Sequence, residues 1–181
     1  MLRYYIADRK SAGGFRNLLA IIQDQFEIGL DLLQIREKDL AARQVFDFTL
    51  AVLEARARIK GPIPTKVLVN SRSDVAIAAG ADGVHLPAHA PSAVLPGLLV
   101  ARSCHTLDEV HAAQSADLVV FGPVFPSPGK GDAVGIGALK QAANMHRCVL
   151  ALGGVDWENA QKCIAAGAAG IAGIRLFQDP E

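Results

Sequence analysis

Short apolar runs alternate along the whole chain with longer stretches in which apolar residues recur every three or four positions. The runs predict strands over residues 3–7, 32–36, 66–70, 83–86, 98–103, 118–121, 149–152 and 170–174. Most are apolar throughout rather than alternating. That is the pattern of strands buried on both faces, as in a parallel sheet covered by helices. The intervening periodicity predicts helices over 15–28, 41–60, 73–79, 107–115, 136–143 and 156–166. Thr106 and Asp156 read as N-caps ahead of acidic first turns containing Asp108-Glu109 and Glu158. Gly80 and Gly167 stand where helices should stop. Ala-Gly-Ala-Asp-Gly-Val at 79–84 resembles Ala-Gly-Ala-Ala-Gly-Ile at 166–171, a weak internal repeat of a helix–stop–strand unit.

Strands alternating with helices leave two architectures, an open doubly wound sheet or a closed barrel. The first strand is not followed by G-x-G-x-x-G, which counts against a dinucleotide-binding sheet. Eight strands favour closure. The expectation is therefore an α/β fold, a (β/α)₈ TIM barrel of eight parallel strands in one domain over residues 1–181. Few residues follow the eighth strand, so the final outer helix should be short or missing. A strand face left uncovered is an apolar patch, which predicts a homodimer.

Charge acts locally here. Lys plus Arg and Asp plus Glu number 18 each, so no global field recommends nucleic acid or a membrane surface as partner. Cys104, Cys148 and Cys163 lack C-x-x-C spacing, which argues against a zinc ribbon or a disulfide framework and fits a reducing compartment. The first residues carry too short an apolar run for a signal sequence. No segment approaches the roughly 20 apolar residues of a membrane span. These features predict a cytoplasmic protein.

In a barrel of this kind the active site lies at the C-terminal strand ends. The residues there are Asp8, Arg36 and Lys38, Asn70-Ser71-Arg72, His85, Ser103 and His105, the segment 123–130, Gly153-Gly154, and Ile174-Arg175. Arg36 and Lys38 are two apart and would project together from a strand end; a guanidinium fork beside an ammonium suits a phosphorylated ligand. Gly153-Gly154 permits close backbone approach to an anion, with Arg175 after the last strand. Alone, the cationic pair also reads as a solvated charged turn, and Gly153-Gly154 as a tight turn into the next helix. The Gly/Pro-rich loop around Ser127 and Gly129 could close over a ligand and deliver Lys130. His85, flanked by Val84 and Leu86, reads as a core residue. His105 is the better candidate for substrate contact. No group of His, Cys, Asp or Glu has metal-ligand spacing.

Six segments in order carry a family resemblance: Gln34-Ile35-Arg36-Glu37-Lys38, Val69-Asn70-Ser71-Arg72, residues 80–86, Ser103-Cys104-His105-Thr106, Gly122-Pro123-Val124-Phe125-Pro126 and Leu152-Gly153-Gly154. The chain resembles thiamine-phosphate synthase and its relative, the thiazole tautomerase, over about residues 4–177. The resemblance implies a (β/α)₈ barrel that binds phosphorylated pyrimidine and thiazole substrates. The synthase couples a pyrimidine diphosphate with a thiazole phosphate and releases pyrophosphate. By resemblance Gln34, Arg36, Lys38, Asn70 and Ser103 hold the pyrimidine diphosphate, and Lys130 reaches the pyrophosphate. Ser127 and Gly129 line the thiazole side; Gly154, Ile174 and Arg175 hold the thiazole phosphate.

The departures are as specific. Synthases carry an Asp after the strand-three Asn, where this chain has Ser71. They carry an acidic run after the strand-four His-Leu, where this chain has Pro87-Ala88-His89-Ala90. No cofactor is therefore assigned, and Mg²⁺ is expected only if held without those acids. Tautomerases also lack the acids and often show Asn-x-Arg and Leu-Pro, as in Asn70-Ser71-Arg72 and Leu86-Pro87. Their strand-six histidine is replaced by Pro123, which leaves His105 as the substitute base. Three readings stand: an enzyme of thiamine synthesis, coupling or isomerising; a non-catalytic barrel that binds thiazole or thiamine phosphates; and a barrel for another phosphorylated substrate.

Overall fold

In the computed structural model, residues 1–59, 64–91, 95–129 and 131–178 are described. The elements run β1 Leu2–Ala7, α1 Phe15–Ile28, β2 Leu32–Ile35, α2 Ala42–Arg58, β3 Lys66–Asn70, α3 Ser73–Ala79, β4 Gly83–Leu86, β5 Leu99–Cys104, α4 Leu107–Ala112, β6 Leu118–Phe121, α5 Gly135–Met145, β7 Val149–Leu152, α6 Ala160–Ala165, β8 Gly170–Gly173 and α7 Arg175–Gln178. All eight strands are parallel to their neighbours, and β1 pairs with both β2 and β8, which closes the barrel. Between β4 and β5 the described residues form no helix.

Strand alternation divides each run into an inner and an outer set. Tyr4, Ile6, Leu32, Leu68, Ala101, Val120, Leu150 and Ala172 fill the barrel interior. Tyr5, Leu33, Ile35, Val67 and Val69 face α1, α2 and α3, while Val119, Phe121, Val149 and Ala151 pack on the other side of the ring. Both sets are apolar in the lower barrel, which is why the runs read as continuous hydrophobic segments.

The repeat around Gly80 and Gly167 has a packing reason. Both glycines are left-handed, at φ 72° and 99°, and end a helical turn. Three residues on, Gly83 and Gly170 start their strands. A Cβ there would fall 2.2 Å from the Leu99 carbonyl oxygen and 2.1 Å from that of Leu2. Only glycine lets the neighbouring backbone approach so closely.

Thr106 caps α4 as expected: its hydroxyl accepts the Glu109 N–H at 3.2 Å, and the Glu109 carboxylate reaches back. The expectation at Asp156 is corrected. Asp156 accepts the Asn159 N–H at 2.7 Å within a turn, and the helix begins only at Ala160. The expected helix 107–115 ends at Ala112, because the chain turns at 113–115 before entering β6. The final helix, α7, is short, as expected. Its Phe177 packs on Tyr5, ring centroids 5.7 Å apart, with Trp157 edge-on at 5.9 Å, so part of the seam between β8 and β1 is covered from within the chain.

Candidate active site

At the C-terminal mouth of β1–β5 lies a cavity of about 720 Å³. Its wall follows from register. The last inward positions of β2, β3, β4 and β5 are Gln34, Asn70, His85 and Ser103, whereas β1 and β7 offer Ile6 and Leu152. One half of the mouth is thus polar and the other apolar. A cavity of the same volume at the opposite end is mostly apolar and contains none of the predicted site residues. The predicted site residues gather at the C-terminal mouth.

The polar wall is hydrogen-bonded across strands. Gln34 Nε2 donates to Asn70 Oδ1 at 2.9 Å, which leaves Gln34 Oε1 as an acceptor and Asn70 Nδ2 as a donor. The Tyr4 hydroxyl meets His85 Nδ1 at 2.9 Å, and His85 Nε2 meets Ser103 Oγ at 2.8 Å. Burial, with Arg36 nearby, pushes His85 down to about 3, so it is neutral near pH 7. His85 is the hydrogen-bonded core residue expected, 3% exposed, and it also lines the cavity and contacts Ser103.

Arg36 and Lys38 follow the end of β2 rather than belonging to it, and both line the cavity. Among the described residues no carboxylate pairs with Arg36. Glu37 between them is 8% exposed and bound to Arg9 at 2.6 Å. Arg72 also lines the wall, with its guanidinium on Asp74 at 2.6 Å. Ser71 takes a left-handed φ of 58° and donates its N–H to the His85 carbonyl, which ties β3 to β4 at the rim. Arg102, outside the barrel and 4% exposed, donates to the carbonyls of Ala90 and Pro91 and so anchors the loop carrying Pro87, Ala88 and His89.

His105 Nδ1 lies 2.6 Å from the Gly122 carbonyl oxygen. A carbonyl only accepts, so in the neutral ring Nδ1 carries the proton and Nε2 the lone pair. His105 also lines the cavity. The cysteines offer no nucleophile here; burial pushes the Cys104 thiol up to about 12.

Gln34, Arg36, Lys38, Asn70, Ser103 and His105 therefore share one cavity. Ser127, Gly129, Gly154, Ile174 and Arg175 lie outside its lining, after β6, β7 and β8 on the same rim. Gly154 is roofed by the preceding loop: a Cβ there would sit 2.6 Å from the Pro126 carbonyl oxygen. Lys130 lies outside the described residues. The reading of single residues missed Tyr4 and Arg102, whose partners lie in another strand or loop, and only the inward place of Tyr4 in β1 hinted at a role.

The donor set does not suit Mg²⁺, a hard dication that wants several oxygen ligands and usually carboxylates. The acids near the cavity are Glu37, held by Arg9, Glu109, held by the backbone N–H groups of His105 and Thr106, and Asp74, held by Arg72. Among the described residues no three His, Cys, Asp or Glu side chains form a metal cluster.

The family model described as thiamine monophosphate synthase matches residues 3–177. The chain belongs to that family. A relative from Geobacter sulfurreducens is 41% identical over 191 residues, which covers 98% of this chain and 87% of its own. A thiamine-phosphate synthase of Methanoculleus marisnigri is 38% identical over 158 residues, covering 81% of this chain and 73% of its own. Among solved structures, a thiamine phosphate pyrophosphorylase from Pyrococcus furiosus superposes with a TM-score of 0.82 at 25% identity, over 99% of this chain and 88% of its own.

Proposed function

We propose that this chain is an enzyme of thiamine synthesis that binds a thiazole phosphate in the C-terminal cavity and shifts a proton within it, without a metal. His105 carries the reading. Its Nδ1–H is committed to the Gly122 carbonyl, so Nε2 is turned out as a base. Arg36 and Lys38 supply cations for a phosphate on the same wall. A proton taken from the ring by Nε2 returns to another ring atom, so the step needs no co-reactant.

Coupling, as in the relatives named thiamine-phosphate synthase, is the second reading. Arg36 and Lys38 stand on one wall beside Arg72, whose charge Asp74 balances, and such a cationic pair also suits a pyrimidine diphosphate as a second ligand. Lys130, Ser127, Gly129, Gly154, Ile174 and Arg175 keep the roles on the pyrophosphate and thiazole sides that the family resemblance gives them.

The test is to titrate thiazole phosphate and pyrimidine diphosphate calorimetrically, with and without Mg²⁺, and follow products by NMR. Metal-independent interconversion of thiazole tautomers is the expected result. Mg²⁺-dependent release of pyrophosphate would establish coupling instead. Binding with no turnover would leave a non-catalytic phosphate-binding barrel. We also propose a cytoplasmic homodimer. Pairing is supported by Trp157, 43% exposed beside the short α7, and sedimentation velocity reads it. No helix among the described residues is long and apolar enough to cross a membrane.

A further inference from the structure

We propose that Tyr4 and His85 are positioning residues that force Ser103 to act as a hydrogen-bond donor into the cavity, toward a phosphoryl oxygen of the ligand. The proposal rests on reading this cavity as the ligand site, and it assigns a polarity that neither family membership nor residue type supplies.

Donor and acceptor accounting carries it. The Tyr4 hydroxyl is fully buried, and its hydrogen-bond partner among the described residues is His85 Nδ1. If Nδ1 held the proton, Tyr4 would accept and its own hydrogen would be buried without an acceptor, at a cost of about 1–3 kcal/mol. Tyr4 therefore donates, and Nδ1 is the bare nitrogen. A doubly protonated ring is excluded by burial beside Arg36. The neutral ring then has its proton on Nε2, which donates to Ser103 Oγ at 2.8 Å. Ser103 accepts from His85, so its own hydrogen is available for the cavity that it lines. The chain of donors runs one way, from the closed interior to the mouth: Tyr4 to His85 to Ser103 to ligand. Each bond joins different strands (β1, β4 and β5), so barrel closure brings the three groups together, and the burial of Tyr4 sets the direction.

An acceptor at that point is favoured over a donor. A ligand presenting only a donor there would use the second Ser103 lone pair and leave the Ser103 hydrogen without a ligand acceptor. Phosphoryl oxygens are acceptors only, and the neighbouring cations suit them.

The experiment has two readouts on the full chain. Ring ¹⁵N shifts of labelled histidine report the His85 tautomer: Nε2–H in wild type, with Nδ1–H gaining population in Tyr4→Phe. Calorimetry with inorganic pyrophosphate, and separately with a thiazole phosphate, reads binding. Tyr4→Phe keeps the ring that packs the interior, and a melting curve checks its fold. Ser103→Ala should weaken pyrophosphate binding about tenfold and Tyr4→Phe about fivefold, the size of one charge-assisted hydrogen bond. In the Ser103→Ala background, Tyr4→Phe should change affinity less than twofold, because both act through the same hydrogen. A merely structural Tyr4 would give additive losses, and that overturns the proposal. So does an Nδ1–H or doubly protonated His85 in wild type, unchanged affinity in Tyr4→Phe, or no pyrophosphate binding by wild type. Failure of the thiazole phosphate alone to bind would sink the proposed function while the tautomer and pyrophosphate results still support the relay.

Discussion

Arg9 grips Glu37 twice: its backbone N–H donates to one carboxylate oxygen at 2.9 Å and its guanidinium to the other at 2.6 Å. The same guanidinium holds Asp39 through two bonds of 2.9 Å. Glu37 stands between Arg36 and Lys38 in the chain, so an unheld carboxylate there would compete with a phosphate for both. The loop after β1 thus protects the charge balance of the loop after β2. Arg9→Met should weaken pyrophosphate binding about fivefold at low salt. Adding Glu37→Gln should restore most of the loss. Calorimetric titration at two ionic strengths decides it; an unrestored double variant would mean that Arg9 acts by another route.

Arg36→Ala and Lys38→Ala should each weaken a diphosphate ligand by about 1.5–3 kcal/mol, the range for hydrogen bonds to charged groups. Arg36 has no carboxylate partner among the described residues, so its removal leaves no buried acid behind, and melting curves should move little. Equal affinity in wild type and Arg36→Ala would move the anion site elsewhere on the rim.

His105→Gln should lower turnover by about 10²–10⁴, the usual contribution of a general base, with a much smaller change in ligand affinity. Steady-state rates on the thiazole tautomer, with calorimetry alongside, separate the two effects. A parallel loss of both would make His105 a binding residue rather than a base.

Acid should destabilise the fold in two windows. The folded pKa of His85 is depressed from 6.5 to about 3. The unfolded chain therefore binds the proton first, and stability present above about pH 6.5 declines as the pH falls toward 3. A second loss begins near the ordinary carboxylate range. Arg72 holds Asp74 at about 2, and Arg9 with Lys10 holds Asp39 well below its usual value, so both contribute above their unfolded pKa and lose that as pH falls. Urea midpoints from pH 8 to 4 should fall more steeply for wild type than for His85→Gln. Identical slopes would show that His85 does not titrate on unfolding.

Gly154→Ala should cost about 1–3 kcal/mol in urea unfolding, the strain of a left-handed non-glycine residue. Its φ is 62°, and the new Cβ would strike Phe125 Cβ at 2.7 Å and the Pro126 oxygen at 2.6 Å. The displaced β6 loop should also alter turnover, since Gly122 on that loop orients His105.

The order of strands, the closed ring, the short last helix and the Thr106 cap were all legible in the chain, because each depends on local periodicity or on residues a few positions apart. So was the gathering of Gln34, Arg36, Lys38, Asn70, Ser103 and His105, since the strand-end rule needs only the position of each strand. What periodicity concealed was facing. In strands buried on both sides, inward and outward residues are alike apolar, so His85 in Val84-His85-Leu86 read as core when its ring also faces the mouth.

Sequence alone determined the fold, its family and the cationic character of one rim, because hydrophobic burial and strand ends are written locally. Tertiary structure alone decided who answers whom. Tyr4 and His85 are 81 residues apart, His85 and Ser103 18, and His105 and Gly122 17. Such pairs exist only once closure and register bring separate strands to hydrogen-bond distance, and the direction of each bond follows from what is buried around it.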